Sequence, residues 1–139
     1  MKQRVPVSEI MSTNLVTANL TDSLRHVNSL MKTHNVRHIP VVSGSKLVGI
    51  VSKTDIMRLS FGDLFDGQSD ADETVYDLLK LEQVMVSNPV AVQADELIKD
   101  VAEQFTKVEF HALPVLKGTE IVGIVSTTDL IKYLLEQYN

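Results

Sequence analysis

The sequence predicts an α+β fold built from two copies of one strand–helix–strand–strand–helix unit. Two observations carry that expectation. "VGIVSKTD" at positions 48–55 returns as "VGIVSTTD" at 122–129, with seven of eight letters shared. The 74-residue offset between Gly49 and Gly123 also holds without a gap from Val7–Leu59 onto Leu81–Tyr133, and 14 of those 53 positions are identical. Identities that reach Met11/Met85, Asn14/Asn88, Pro40/Pro114 and Gly44/Gly118 mark a duplication of the whole unit rather than a shared local motif. Two copies suit a pseudo-twofold pair better than a solenoid. The expected boundaries are residues 5–60 and 75–135, with an acidic linker over 61–74.

Each copy justifies its elements in the same order. Val16-Thr17 and Val90-Ala91-Val92 read as short extended pieces. Thr21-Asp22 and Asp95-Glu96 then supply polar helix starts. Apolar residues follow at helical spacing: Leu24, Val27, Leu30 and Met31 in one copy, Leu97, Ile98, Val101, Ala102 and Phe105 in the other. Pro40 and Pro114 push the residue before them towards extended geometry, which opens a strand at Ile39 and Leu113. Gly44 and Gly118 sit in turns that lead back into Leu47–Val51 and Ile121–Val125, a hairpin each time. Helices follow both octets. The stripe Leu130, Ile131, Leu134 and Leu135 on the last one suits the chain's own core first and a dimer face second. The join has glycines and acids without a period and fails the alternating ligand pattern of a calcium loop, so a solvated linker is expected.

Composition excludes several functions. The 139 residues contain no cysteine, which removes disulfides, thiolate metal sites and thiol nucleophiles. A net charge of −5 and a pI near 5.3 argue against nucleic acid or an anionic membrane as the main partner. No signal-peptide core follows the first residues and no apolar run approaches membrane length, so a cytoplasmic, soluble protein is expected. His34 and His38 lie four apart but lack the Glu of a zinc protease, and Gly44-Ser45-Lys46 lacks the first glycine of a phosphate loop. No local Ser–His–acid arrangement suggests catalysis.

The polar ending Ser-x-Thr-Asp of each octet has two readings. Ser or Thr caps the following helix and Asp complements its dipole, together worth about 0.5–2 kcal/mol. Alternatively, the helix N-terminus and hydroxyls attract phosphate while the carboxylate accepts ribose hydroxyls, in charge-assisted bonds of about 1.5–3 kcal/mol each. Upstream, Val36-Arg37-His38-Ile39-Pro40 aligns with Phe110-His111-Ala112-Leu113-Pro114. Arg37 is able to clamp a phosphate bidentately, and His38 or His111 to donate to one. Taken singly, each reads first as a surface residue at an exposed strand start; only together with the octet turns do they point to a ligand.

Two such units, each with an apolar-Pro strand followed by a strand ending in h-G-h-h-S/T-x-x-D, resemble a tandem pair of CBS (cystathionine β-synthase) domains, a Bateman module, over about Val5 to Leu135. The resemblance implies two units packed sheet to sheet with two clefts between them. It also implies a non-catalytic regulatory role with no required cofactor, an AMP, ADP or ATP ligand, a homodimer formed through the pairs, and a regulated protein acted on in trans. Carried over residue by residue, Asp55 and Asp129 match the ribose-binding acids. Ser52, Thr54, Ser126 and Thr128 match the hydroxyls near them. Arg37, His38 and His111 match the basic positions that reach a ligand seated on the other repeat's octet, and Thr17 and Ala91 loosely match the base-seating positions. On that pattern Asp129 shares a cleft with Arg37 and His38, whereas Asp55 shares one with His111 and neutral Ala112. Unequal clefts are therefore expected, with the Asp129 cleft the better phosphate binder. An S-adenosylmethionine sensor and an interaction module with empty clefts are the competing readings.

Overall fold

A computed structural model describes residues 4–60, 76 and 78–138. The expected linker over 61–74 lies outside the described residues. The chain divides into two compact units, and the division does not follow the order of the repeats. One unit is Val16–Pro89; the other combines Met1–Leu15 with Val90–Asn139.

In the Val16–Pro89 unit the elements are β1 (Ala18–Asn19), α1 (Leu24–His34), β2 (His38–Ser43), β3 (Lys46–Ser52), α2 (Lys53–Ser60), the single turn α3 (Leu81–Val84) and β4 (Val86–Ser87). β1 runs parallel to β2, with Ala18 beside Val41. β2 and β3 form the expected hairpin, and β4 adds antiparallel to β3 through Gly49↔Ser87 and Ile50↔Val86. The second unit repeats the scheme with β5 (Val92–Gln93), α4 (Ile98–Phe105), β6 (Ala112–Lys117), β7 (Glu120–Ser126) and α5 (Thr127–Glu136). β5 is parallel to β6 and β6 antiparallel to β7. A short 3-10 turn, Val7–Glu9, and a two-way bridge between Ser12 and Ile124 stand where α3 and β4 stand in the first unit. The mixed α+β architecture and the β-α-β-β-α repeat are as expected from the sequence.

Gly44 and Gly118 turn the two hairpins at φ of +65° and +68°, a conformation a side chain disfavours. Each unit then closes over its own apolar cluster. Leu24, Val27, Met31, Ile39, Val41, Val51, Ile56 and Leu81 fill the first, and Val7, Val92, Val101, Leu113, Val115 and Val125 fill the second. Burying each such side chain is worth about 1.5–3 kcal/mol. Val7 and Leu81 are equivalent residues of the repeat, so each core is completed by the segment preceding the other unit's first strand.

Three sequence expectations shift. The first strands form at Ala18–Asn19 and Val92–Gln93, two residues beyond Val16-Thr17 and at the end of Val90-Ala91-Val92. The parallel ladder and the burial of Ala18 and Val92 set that register, and β-propensity does not. The helix caps are not Thr21-Asp22 and Asp95-Glu96. Ser23 caps α1 by accepting the His26 N–H at 3.0 Å, while Asp22 reaches back to accept the Asn19 N–H at 2.8 Å. Glu96 similarly accepts the Gln93 N–H at 2.6 Å, and α4 starts after Leu97 without a side-chain cap. Finally, the last helix buries no residue: Leu130 is half-buried and Ile131, Leu134 and Leu135 are 45–61% exposed, so most of that stripe is surface and not core.

Candidate ligand-binding rims

Each octet places an apolar strand directly against a helix N-terminus, and the structure makes its polar ending a reciprocal cap. Ser126 Oγ accepts the Asp129 N–H at 3.1 Å, and Asp129 Oδ2 accepts the Ser126 N–H at 2.8 Å. Ser52 and Asp55 repeat the arrangement at 3.0 and 3.1 Å. Two orphan donors are satisfied at once in each unit, and the capping reading therefore holds. It does not consume the site. The carboxylates are half-buried, and their Oδ1 atoms accept no hydrogen bond among the described residues; Arg58 Nη1 stands 3.9 Å from that of Asp55. Thr54 and Thr128, one position before the acids, are exposed.

The basic strand starts lie beside the octet turns. The Lys53 N–H donates to the Arg37 carbonyl at 2.8 Å, and the Thr127 N–H to the His111 carbonyl at 2.9 Å. Across the hairpin ladders His38 is opposite Ser52, and Ala112 is opposite Ser126. The side chains of Arg37, His38 and His111 are exposed. One unit thus carries Arg37, His38, Ser52, Thr54 and Asp55 around one strand end, and the other His111, Ser126, Thr128 and Asp129. Thr17 and Ala91 immediately precede β1 and β5, exposed and half-buried respectively, and no hydrogen bond joins Thr17 to an octet turn among the described residues.

The octet glycines have a packing role that the octet letters alone do not reveal. A Cβ on Gly49 would overlap the Met85 sulfur, and one on Gly123 would lie 2.5 Å from the Met11 sulfur. Both glycines are buried strand residues on which a methionine rests. The identity of Met11 and Met85 in the repeat was the available signal. Among the described residues, no group of three or more His, Asp or Glu side chains is arranged to hold a metal, and no helix is long and apolar enough to cross a membrane.

Comparison with known proteins agrees with the repeat. The CBS domain family model matches residues 7–62 and again 75–136. The chain is 31% identical over 134 residues to protein MJ0188 of Methanocaldococcus jannaschii, covering 96% of this chain and 45% of that one. It is 28% identical over 124 residues to the CBS domain-containing protein YhcV of Bacillus subtilis, covering 89% and 81%. The chain spans 24% to 45% of the length of the first five curated relatives it matches. Among solved structures, CBSX2 of Arabidopsis thaliana superposes with a TM-score of 0.82 at 21% identity, covering 96% and 97% of the two chains. The CBS domain pair of protein MJ0100, solved with 5′-methylthioadenosine and S-adenosyl-L-methionine, superposes at 0.75 with 26% identity, covering 97% and 98%. With the family model matching both repeats across most of the sequence, the chain belongs to the CBS domain family as a tandem pair.

Proposed function

We propose that this CBS pair is a non-catalytic regulatory module that binds an adenine-containing ligand, of the AMP, ADP or ATP class, and signals its presence to a partner protein. The observation that carries the reading is the twin rim: a helix N-terminus, a hydroxyl and a rigidly held carboxylate whose second oxygen accepts no hydrogen bond among the described residues, free of any ion pair at Asp129 and 3.9 Å from the Arg58 guanidinium at Asp55. Asp55 and Asp129 would accept ribose hydroxyls, Ser52, Thr54, Ser126 and Thr128 would line the approach, and Arg37, His38 and His111 would donate to the phosphate. Thr17 and Ala91 remain candidates for seating the base. The MJ0100 pair, similar over nearly its whole length, holds adenosyl compounds, and CBSX2 has been solved in complex with AMP. These complexes support the ligand class and leave S-adenosylmethionine as the second reading, favoured where the basic pair is missing.

Self-association as a homodimer belongs to the same proposal. Within the Met1–Leu15 and Val90–Asn139 unit, a cavity of about 690 Å³ opens beside α4 and α5, lined by Val5, Ile98, Leu130, Ile131 and Leu134 among others.

Calorimetric titration of AMP, ATP and S-adenosylmethionine into the wild type and into Arg37→Ala and His111→Ala tests the ligand reading. Arg37 is exposed and its carbonyl bond to the Lys53 N–H does not involve the side chain, so Arg37→Ala is expected to fold. Loss of one guanidinium–phosphate interaction is expected to weaken AMP about tenfold to hundredfold, with a smaller loss for His111→Ala. No binding of any of the three compounds to the wild type would leave an interaction module without a nucleotide.

A further inference from the structure

We propose that Met11 and Met85 are paired oxidation sites, whose conversion to the sulfoxide releases the segments that carry them from the octet strands. This stands apart from any ligand. With no cysteine in the chain, its sulfur redox chemistry rests on methionine alone. The described methionines differ sharply in setting. Met31 is 2% exposed within a core cluster, and Met57 is 41% exposed on α2. Met11 and Met85 are half-buried, reachable by a small oxidant yet packed against a strand.

The packing is the same in both units. A buried anchor, Val7 or Leu81, enters the core. Four residues on, the methionine N–H bonds the anchor's carbonyl, at 3.1 Å for Met11 and 3.0 Å for Met85. The thioether then lies over Gly123 or Gly49, so close that no carbon fits between them. The next residues pair with the octet strand. Ser12 and Ile124 exchange N–H···O bonds of 2.8 and 2.9 Å in one unit; β4 pairs with β3, and the Asn88 N–H reaches the Val48 carbonyl at 3.3 Å, in the other. Those strands end three residues beyond Gly123 and Gly49, at the Ser126 and Ser52 caps. Each segment is therefore a short strap, held by an apolar anchor, a sulfur seat and a few edge bonds; the Val7 segment is tied further by the Val7 and Ser8 N–H groups, which donate to the Glu96 and Ala94 carbonyls at 2.7 and 3.1 Å.

A hydroperoxide is the oxidant the setting admits. The sulfur lone pair attacks one peroxide oxygen, the O–O bond breaks and an S–O bond forms; with hydrogen peroxide the second oxygen leaves as water. Sulfur loses two electrons and the peroxide gains them. A dithiol-dependent reductase reverses the step, removing the oxygen as water while its two thiols become a disulfide. The product is polar where the seat is apolar and has no spare volume. The sulfoxide oxygen must turn outward and pull the side chain off the glycine, which leaves the edge bonds without their cover.

Limited treatment of the native chain with hydrogen peroxide, followed by peptide mass spectrometry and amide hydrogen exchange, tests the proposal. Oxygen should appear on Met11 and Met85 before Met31. Exchange in peptides covering 7–15 and 81–89 should rise roughly tenfold or more, the scale of losing a local protecting contact. Methionine sulfoxide reductase should restore the slow exchange. The Met11→Leu/Met85→Leu chain should show no rise under the same treatment even though Met57 oxidises; if that chain does not fold, reductase reversal in the wild type carries the test. Oxidation of both residues without faster exchange, oxidation of Met31 as early as theirs, an equal rise in a folded double-leucine chain, or no recovery with the reductase would overturn it.

Discussion

Adding one methyl group at each octet glycine should separate two contacts that look identical in sequence. At Gly49 the three atoms nearest an added Cβ are Sδ, Cγ and Cε of Met85, the last two at 3.0 Å. All belong to a flexible side chain that is able to swing aside, so overpacking costs about 1 kcal/mol, the low end for added core methyls. The lost glycine freedom in the unfolded chain offsets about 0.4–1 kcal/mol of that. At Gly123 the added Cβ meets Met11 Sδ at 2.5 Å, Cγ at 2.8 Å and the Ser12 carbonyl oxygen at 2.9 Å. That oxygen is backbone, and it is pinned by the Ile124 N–H at 2.9 Å. Making room for the methyl means lifting Ser12 and loosening both bridge bonds, about 0.5–1.5 kcal/mol each, on top of the overpacking. Gly49→Ala should therefore be destabilising by no more than about 1 kcal/mol, and Gly123→Ala, with the same unfolded-state offset, by about 1–3.5 kcal/mol. Urea denaturation of the two variants measures the difference. Met85→Ala should abolish the cost of Gly49→Ala, whereas Met11→Ala should relieve that of Gly123→Ala only in part, because the Ser12 oxygen stays. Equal costs at the two glycines, or full rescue by Met11→Ala, would refute the reasoning.

Two further outcomes follow from local geometry. Gly44→Ala and Gly118→Ala meet no atom within 4 Å, so their cost is conformational alone, about 1–2 kcal/mol each by thermal denaturation, with Gly118→Asn milder because asparagine tolerates positive φ. Ser126→Ala removes the acceptor for the Asp129 N–H and should lower stability by about 1 kcal/mol in urea, with Ser126→Thr retaining most of it.

The repeat, the two hairpins and the polar caps that end the octets were legible in the letters alone. Gly44 and Gly118 announce turns through their backbone freedom, the periodic apolar residues of α1 and α4 announce a buried face, and the octet endings carry the cap chemistry in their letters. All of this is local, and a duplicated chain states it twice. Features that depend on partners far away in sequence were set by packing. The first strands moved to Ala18 and Val92 because the parallel ladder to β2 and β6 chooses the residue to bury, and propensity cannot see that ladder. The last helix kept Ile131, Leu134 and Leu135 outside because helical periodicity marks an apolar face without saying what covers it. Above all, Val7 and Leu81 each complete the core of the unit that does not contain the strand after them, and they bring Met11 and Met85 onto Gly123 and Gly49. Such a contact joins residues 112 or 36 positions apart. Nothing in local pattern encodes it, since close packing is settled only when the whole chain has chosen its neighbours.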